Sequence, residues 1–220
     1  TAGGVVTASL STLASSQQYY FWVRSNCNGT DKSAWVGSAT FTTACAPFPI
    51  SYSQGFNIAS APSCWSTQLV PIGGTATAAS TGTKISYVTT GSNPTTGPQE
   101  STNFVQYNSY SSTNGGAGAE ERLVSTPMSS IGTTSVDVKF YWRNENSTTY
   151  NSGLYLNEGV QVQYSTDGVT WTDAGALIPR YDGSLGSGTA TWNLKTITVP
   201  SALANLATFY VALKFHSSFG

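Results

Sequence analysis

Apolar side chains recur at every second position in several separated runs, the spacing of strands with one buried face. Helical spacing is confined to about one turn's worth at Ser201 to Leu206. Near the start, Tyr19, Phe21 and Val23 fall on one side of an extended run, and Tyr20, Trp22 and Arg24 on the other. Val136, Val138, Phe140 and Trp142 share a face further on, and Val160, Val162 and Tyr164 alternate with Gln161 and Gln163. Trp192, Leu194, Ile197 and Val199 mark another strand, with a bulge expected after Lys195. Phe209, Val211, Leu213 and Phe215 mark the last. Polar residues between these positions are expected to face solvent. Ser165 to Trp171 reads as a hairpin, because Asp167-Gly168 supplies the positive φ angles of a tight primed turn. Stretches 73–83, 91–98 and 108–118 are rich in Gly, Ser, Thr and Pro and lack strand patterns. Long antiparallel strands joined this way predict an all-β chain built as a two-sheet sandwich.

Length and composition sharpen this picture. The 220 residues suffice for one large or two small domains, and 39% hydrophobic with 12% aromatic residues is enough to fill a core. Charged residues are only 9%, against about 25% in ordinary soluble proteins. The net charge is −1 and the nine Lys and Arg are scattered singly, so no nucleic-acid partner is expected. No apolar run approaches the roughly eighteen residues of a membrane span, so no membrane insertion is expected either. Composition shifts at Thr43-Ala44-Cys45-Ala46-Pro47, where Pro47 and Pro49 stiffen a junction between domains 1–44 and 45–220.

Two resemblances follow from these motifs. Leu13 to Thr43, with Tyr19 opening the alternating run, Trp35 after it and Ala39-Thr40-Phe41-Thr42 as a closing strand, resembles the last strands of a fibronectin type III module. Tyr19 takes the tyrosine-corner position. Only residues 1–44 belong to it, against roughly 100 for a whole immunoglobulin-like sandwich, so the chain is expected to be an interior piece of a longer modular protein. From Cys45 onward the order of features is similar to the MAM-like and cleaved-adhesin-like jelly rolls of Bacteroidota surface proteins. Those features are Cys45 and Pro47, Ser53-Gln54-Gly55-Phe56-Asn57, Ala61-Pro62-Ser63-Cys64-Trp65, Arg122 to Pro127, and the Val136, Val160, Trp192 and Phe209 strands. In those proteins such a domain often follows a fibronectin type III module. The fold implied is therefore a partial fibronectin type III sandwich followed by an antiparallel jelly-roll β-sandwich whose last strand is missing. The function implied is that of a non-catalytic extracellular or cell-surface segment, serving adhesion, display, or binding of a glycan or protein ligand. The alternative is an accessory substrate-binding module of a secreted hydrolase. Export by type IX secretion is implied too, with translocon components as transient partners.

Candidate chemistry is sparse. Of three cysteines, Cys45 and Cys64 flank the opening of the second domain and form the better disulfide candidate; the alternative is three unpaired buried thiols. A bridge there would close a loop of about 20 residues, with Trp65 covering the sulfurs. Glu120 and Glu121 ahead of the Leu123 strand, Asp182 in its loop and Asn57 as a carbonyl donor are the calcium candidates. The plain alternative is a solvated acidic pair and an ordinary turn Asp. The related domains usually carry carboxylates, often associated with calcium, where this chain has Gln54 and Asn57; amides remove charge from a calcium shell although their carbonyls can still coordinate, and calcium, if held, is the one cofactor expected. Tyr107, Tyr110, Tyr150, Tyr155 and Tyr181 cluster near loops, where rings stack on sugars while neighbouring Asn and Ser donate hydrogen bonds; the alternative is that they pack the core. His216 is the only histidine and has no nucleophile-elbow motif near it. Glu145 and Glu158 flank a polar loop without the carboxylate-lined groove of a glycosidase, so no enzyme is expected.

Overall fold

The computed structural model describes residues 7–71, 83–92, 95–100, 102–109, 119–144, 147–182, 191–199 and 201–218. It is all-β, and it divides into two compact units, Thr1–Ala46 and Pro47–Gly220.

In the first unit, β1 (Gln18–Val23) pairs antiparallel with β2 (Val36–Thr42). Cross-strand aromatics hold the pair on one face: the rings of Tyr19 and Phe21 lie 5.7 and 6.3 Å from that of Phe41. The Tyr19 hydroxyl accepts the Ala14 N–H at 2.8 Å, five residues upstream. The other face carries Tyr20 and Trp22, 57% and 53% exposed, so this unit presents apolar rings to solvent.

The second unit contains β3 (Phe48–Pro49), β4 (Ser66–Leu69), β5 (Ile85–Val88), β6 (Phe104–Tyr107), β7 (Ala119–Val124), β8 (Met128–Ser129), β9 (Val136–Trp142), β10 (Gly159–Ser165), β11 (Thr172–Asp173), β12 (Ile178–Pro179), β13 (Asn193–Val199) and β14 (Tyr210–Ser217). The main sheet runs β11-β10-β14-β7-β4, with β12 also paired to β10. Its inner face supplies Leu123, Val160, Val162, Val211 and Phe215 to the core. Ile85 of β5, Val136 of β9 and Val199 of β13 pack against it from the facing layer. That layer consists of two separate ribbons, β13–β9 and β5–β6. Short β3 and β8 pair in parallel, and Met128 of β8 also bridges to Phe209 ahead of β14.

Gly159 begins β10 where β12 crosses closely. It has φ +152°, and a Cβ there would run into the Ile178 carbonyl oxygen.

Four expectations need correction. Gln161 and Gln163 are buried, not solvent-facing, because the chain after β10 folds back over that side of the sheet. Gln161 Nε2 donates to the carbonyls of Val162, Ala174 and Gly175, and Gln163 accepts from Arg122 Nε at 2.6 Å while donating to Asp173 Oδ1 at 2.6 Å. The turn after β10 is wider than a two-residue hairpin, since Tyr164 pairs with Thr172. Gly168 alone takes a positive φ, of 73°, and the Asp167 carboxylate organises the loop by accepting from the Val169 and Thr170 N–H groups at 2.8 and 2.7 Å. No bulge follows Lys195: β13 keeps one register with β9 from Asn193↔Trp142 to Val199↔Val136. Leu194 therefore points outward, 55% exposed, and Lys195 reaches Asp182 at 3.7 Å. Finally, Glu120 and Glu121 lie within β7, not ahead of it.

Candidate functional site

A groove of about 1710 Å³ runs through the second unit. Its floor is the main sheet's inner face, which contributes Phe209, Val211, Leu213 and Phe215 with Leu123 beside them, while His216 and Ser217 line it at the end of β14. Its two long walls contribute unbroken runs, residues 135–144 through β9 and residues 103–109 through β6. A strand shows alternate side chains on a face and consecutive residues along an edge. The walls therefore follow edges of β9 and β6, which among the described residues pair only with β13 and β5.

One end of the groove is rich in polar and aromatic groups. Trp142 closes β9 and its ring lies 6.2 Å from Phe215, which stacks on Tyr107 at 5.2 Å. The buried Trp142 Nε1, Arg143 Nε and Asn144 Nδ2 have no hydrogen-bond partner, and Asn144 is only 7% exposed. Buried donors of this kind cost free energy until an acceptor meets them. Tyr107 donates its hydroxyl to the Ala119 carbonyl at 2.6 Å. Burial, and then the carboxylates of Glu121, Glu120 and Glu158, push that phenol far above its ordinary pKa, so it remains a donor.

The short 3₁₀ turns Thr148–Tyr150 and Gly153–Asn157 bring Tyr150 and Tyr155 to the same end. Their rings meet edge to face at 5.0 Å, and the Arg180 guanidinium lies 3.5 Å above Tyr150. Arg180 also pairs with Glu158 at 2.6 Å. Glu158 is 1% exposed, and its other oxygen accepts from Ser217 Oγ at 3.1 Å and the Ser218 N–H at 2.9 Å. A buried carboxylate compensated this fully is a structural anchor for the ends of β10, β12 and β14.

The calcium candidates are not gathered. Glu121 is buried on the inner side, accepting from Thr83 Oγ1 and from the Lys84 and Ile85 N–H groups at 2.6 and 2.9 Å, so it caps the start of β5. Glu120, one residue earlier, points to the opposite face. Burial alone would raise its pKa, but His216 at 2.8 Å and Lys214 at 3.7 Å more than offset this and hold it below its ordinary value. Asp182 is engaged by Lys195, and the Asn57 carbonyl accepts from Thr102 Oγ1 at 2.9 Å. Among the described residues no group of three or more His, Cys, Asp or Glu could hold a metal.

Of the five tyrosines, Tyr107, Tyr150 and Tyr155 line the groove, Tyr181 does not, and Tyr110 lies outside the described residues, as does Glu145. Cys45 and Cys64 are disulfide-bonded, and Cys27 is a free, exposed thiol, so the picture of three buried thiols does not hold. Trp65 packs edge to face on Phe56 at 5.1 Å and donates to the Tyr52 hydroxyl.

His216 has a second neighbour, since its Nε2 lies 3.1 Å from Ser218 Oγ while Nδ1 faces Glu120. The order carboxylate, imidazole, hydroxyl is that of a hydrolytic triad. The electrostatics run the wrong way for one. The Ser218 N–H, the natural oxyanion donor, already binds the Glu158 carboxylate, which places negative charge where a tetrahedral oxyanion would form.

Strand alternation placed Trp142 in the core and passed over Arg143 and Asn144. The signal available was three successive N–H-bearing side chains at the end of a strong strand. Set beside models of protein families, characterised proteins and solved structures, the chain matches none.

Proposed function

We propose that this chain is a non-catalytic extracellular segment of a modular surface or secreted protein, and that its second unit works by binding a ligand along the groove between β9 and β6. The observation that carries this reading is the groove itself: an apolar floor, aromatic ends and buried donors still waiting for acceptors. The first unit is read as the closing part of a fibronectin type III module, which the Ala14–Tyr19 hydrogen bond supports. The second is read as a MAM-like or cleaved-adhesin-like jelly roll. The disulfide favours an oxidising compartment and hence export, with type IX translocon components as transient partners. Among the described residues no helix is long and apolar enough to cross a membrane.

The test is a titration of surface oligosaccharides and extended peptides against the chain and its Trp142→Ala variant, followed by tryptophan fluorescence. Saturable binding that Trp142→Ala weakens about tenfold or more supports the reading. Ester hydrolysis abolished by Ser218→Ala would contradict its non-catalytic half.

A further inference from the structure

Resting on the reading that this groove is the binding site, we propose that its polar end takes an acidic group through Arg143, and that the ligand is an anionic saccharide carrying carboxylate or sulfate. Arg143 lines the groove immediately after β9 and is half-buried. Its Nε is buried without a hydrogen-bond partner, and no carboxylate among the described residues forms an ion pair with it. The other guanidinium at this end, that of Arg180, is balanced by Glu158 at 2.6 Å. One positive charge is therefore left over, in a chain of which only 9% is charged. Half-burying a charge without a counter-charge costs free energy, and an anion bound beside it recovers that cost.

The two chain neighbours of Arg143 point to the same chemistry. Trp142 Nε1 and Asn144 Nδ2 are buried donors without partners, and Asn144 lines the groove while only 7% exposed. Three successive side chains thus carry N–H groups that no acceptor meets. A planar guanidinium flanked by further donors matches carboxylate or sulfate, whose oxygens accept and do not donate. A cationic ligand gains nothing here. The rest of the groove favours a saccharide as the carrier of that group. Gln54, Asn57, Gln99 and Asn103 line it with neutral amides, and Phe104 and Trp192 with rings. Amides both donate and accept, as sugar hydroxyls do. The groove also exceeds the roughly 300–1,000 Å³ of small-molecule pockets, which suits several sugar units.

The experiment uses the full chain. Oligogalacturonate is the carboxylate probe and sulfated oligogalactose the sulfate probe, with the methyl ester and the unsulfated sugar as their neutral twins. A peptide of glutamate and threonine forms the last arm. Calorimetry reads the binding of each to the unaltered chain, Arg143→Gln and Arg143→Lys, and the Tm of each free chain is recorded. We expect an acidic saccharide to bind, and to lose about tenfold or more in affinity when neutralised or when offered to Arg143→Gln. Arg143→Lys should restore part of that loss, and the Tm of Arg143→Gln should be unchanged or raised. Which of the two probes binds identifies the acidic group. Equal binding of an acidic saccharide and its neutral twin overturns the proposal and leaves the broader reading of the groove standing, as does a preference for the acidic peptide. A Tm several degrees lower in free Arg143→Gln means that the guanidinium is already paired within the chain, by Glu145 or another residue outside the described ones, and overturns it too. Binding of none of the probes removes both.

Discussion

The two layers of the second unit are built from the same alternating sequence and end differently. In the main sheet β14 is paired along both edges, by β10 and β7, and β10 has every residue but one buried. In the facing layer, among the described residues, β9 is paired along one edge and buries Val136 while Val138, Phe140 and Trp142 are half-buried, and the ribbon β5–β6 is not paired to it. Alternation thus decides which face of a strand is buried. Whether its edges are closed depends on neighbours that the alternation does not encode. Among the described residues the edges left unpaired coincide with the groove, so the proposed binding surface lies where one layer is less closed than the other.

If the closed sheet carries the stability, truncation there should hurt most. Phe209→Ala, at a residue with no exposure, is expected to cost about 3–5 kcal/mol in denaturant unfolding. Next comes the clamp ahead of edge strand β4. Replacing both Cys45 and Cys64 by Ala removes a closed loop of about 20 residues and about 3 kcal/mol, which reductant should reproduce on the unaltered chain.

A smaller effect belongs to the main sheet's outer face. The Glu120 carboxyl is held low when folded, so its contribution is present above the unfolded value of about 4.3 and is lost as pH falls through the folded one. The Tm of the unaltered chain should therefore fall more steeply than that of Glu120→Gln below about pH 5, by less than about 1 kcal/mol in all. The smallest effect lies in the open layer: Leu194→Ala, on the outer side of β13, should stay within about 0.5 kcal/mol of zero. A cost near that of Phe209→Ala would mean the outer side of the ribbon is covered.

The long strands of both layers were legible in the sequence, because β9, β10 and β14 are seven or eight residues long and repeat their alternation three or four times. β4, β5 and β6 have four residues each, too few repeats to stand out from loops. The bulge expected after Lys195 came from assigning Leu194 inward by hydrophobicity. The uninterrupted register puts the lysine's stem on that side instead, with its ammonium paired to Asp182. At the site, tyrosines were identifiable and their geometry was not: Tyr107 and Tyr150 have faces already occupied, and Tyr181 falls elsewhere. The groove escaped the sequence because its walls follow strand edges, and whether an edge is paired leaves no mark on side-chain pattern.

Amide hydrogen exchange on the free chain tests the open layer most directly. Alternate amides of β9 and β6 should exchange orders of magnitude faster than those of β14 in the same sample. Uniform protection along β9 and β6, equal to that of β14, would mean those edges are already paired and would contradict the account.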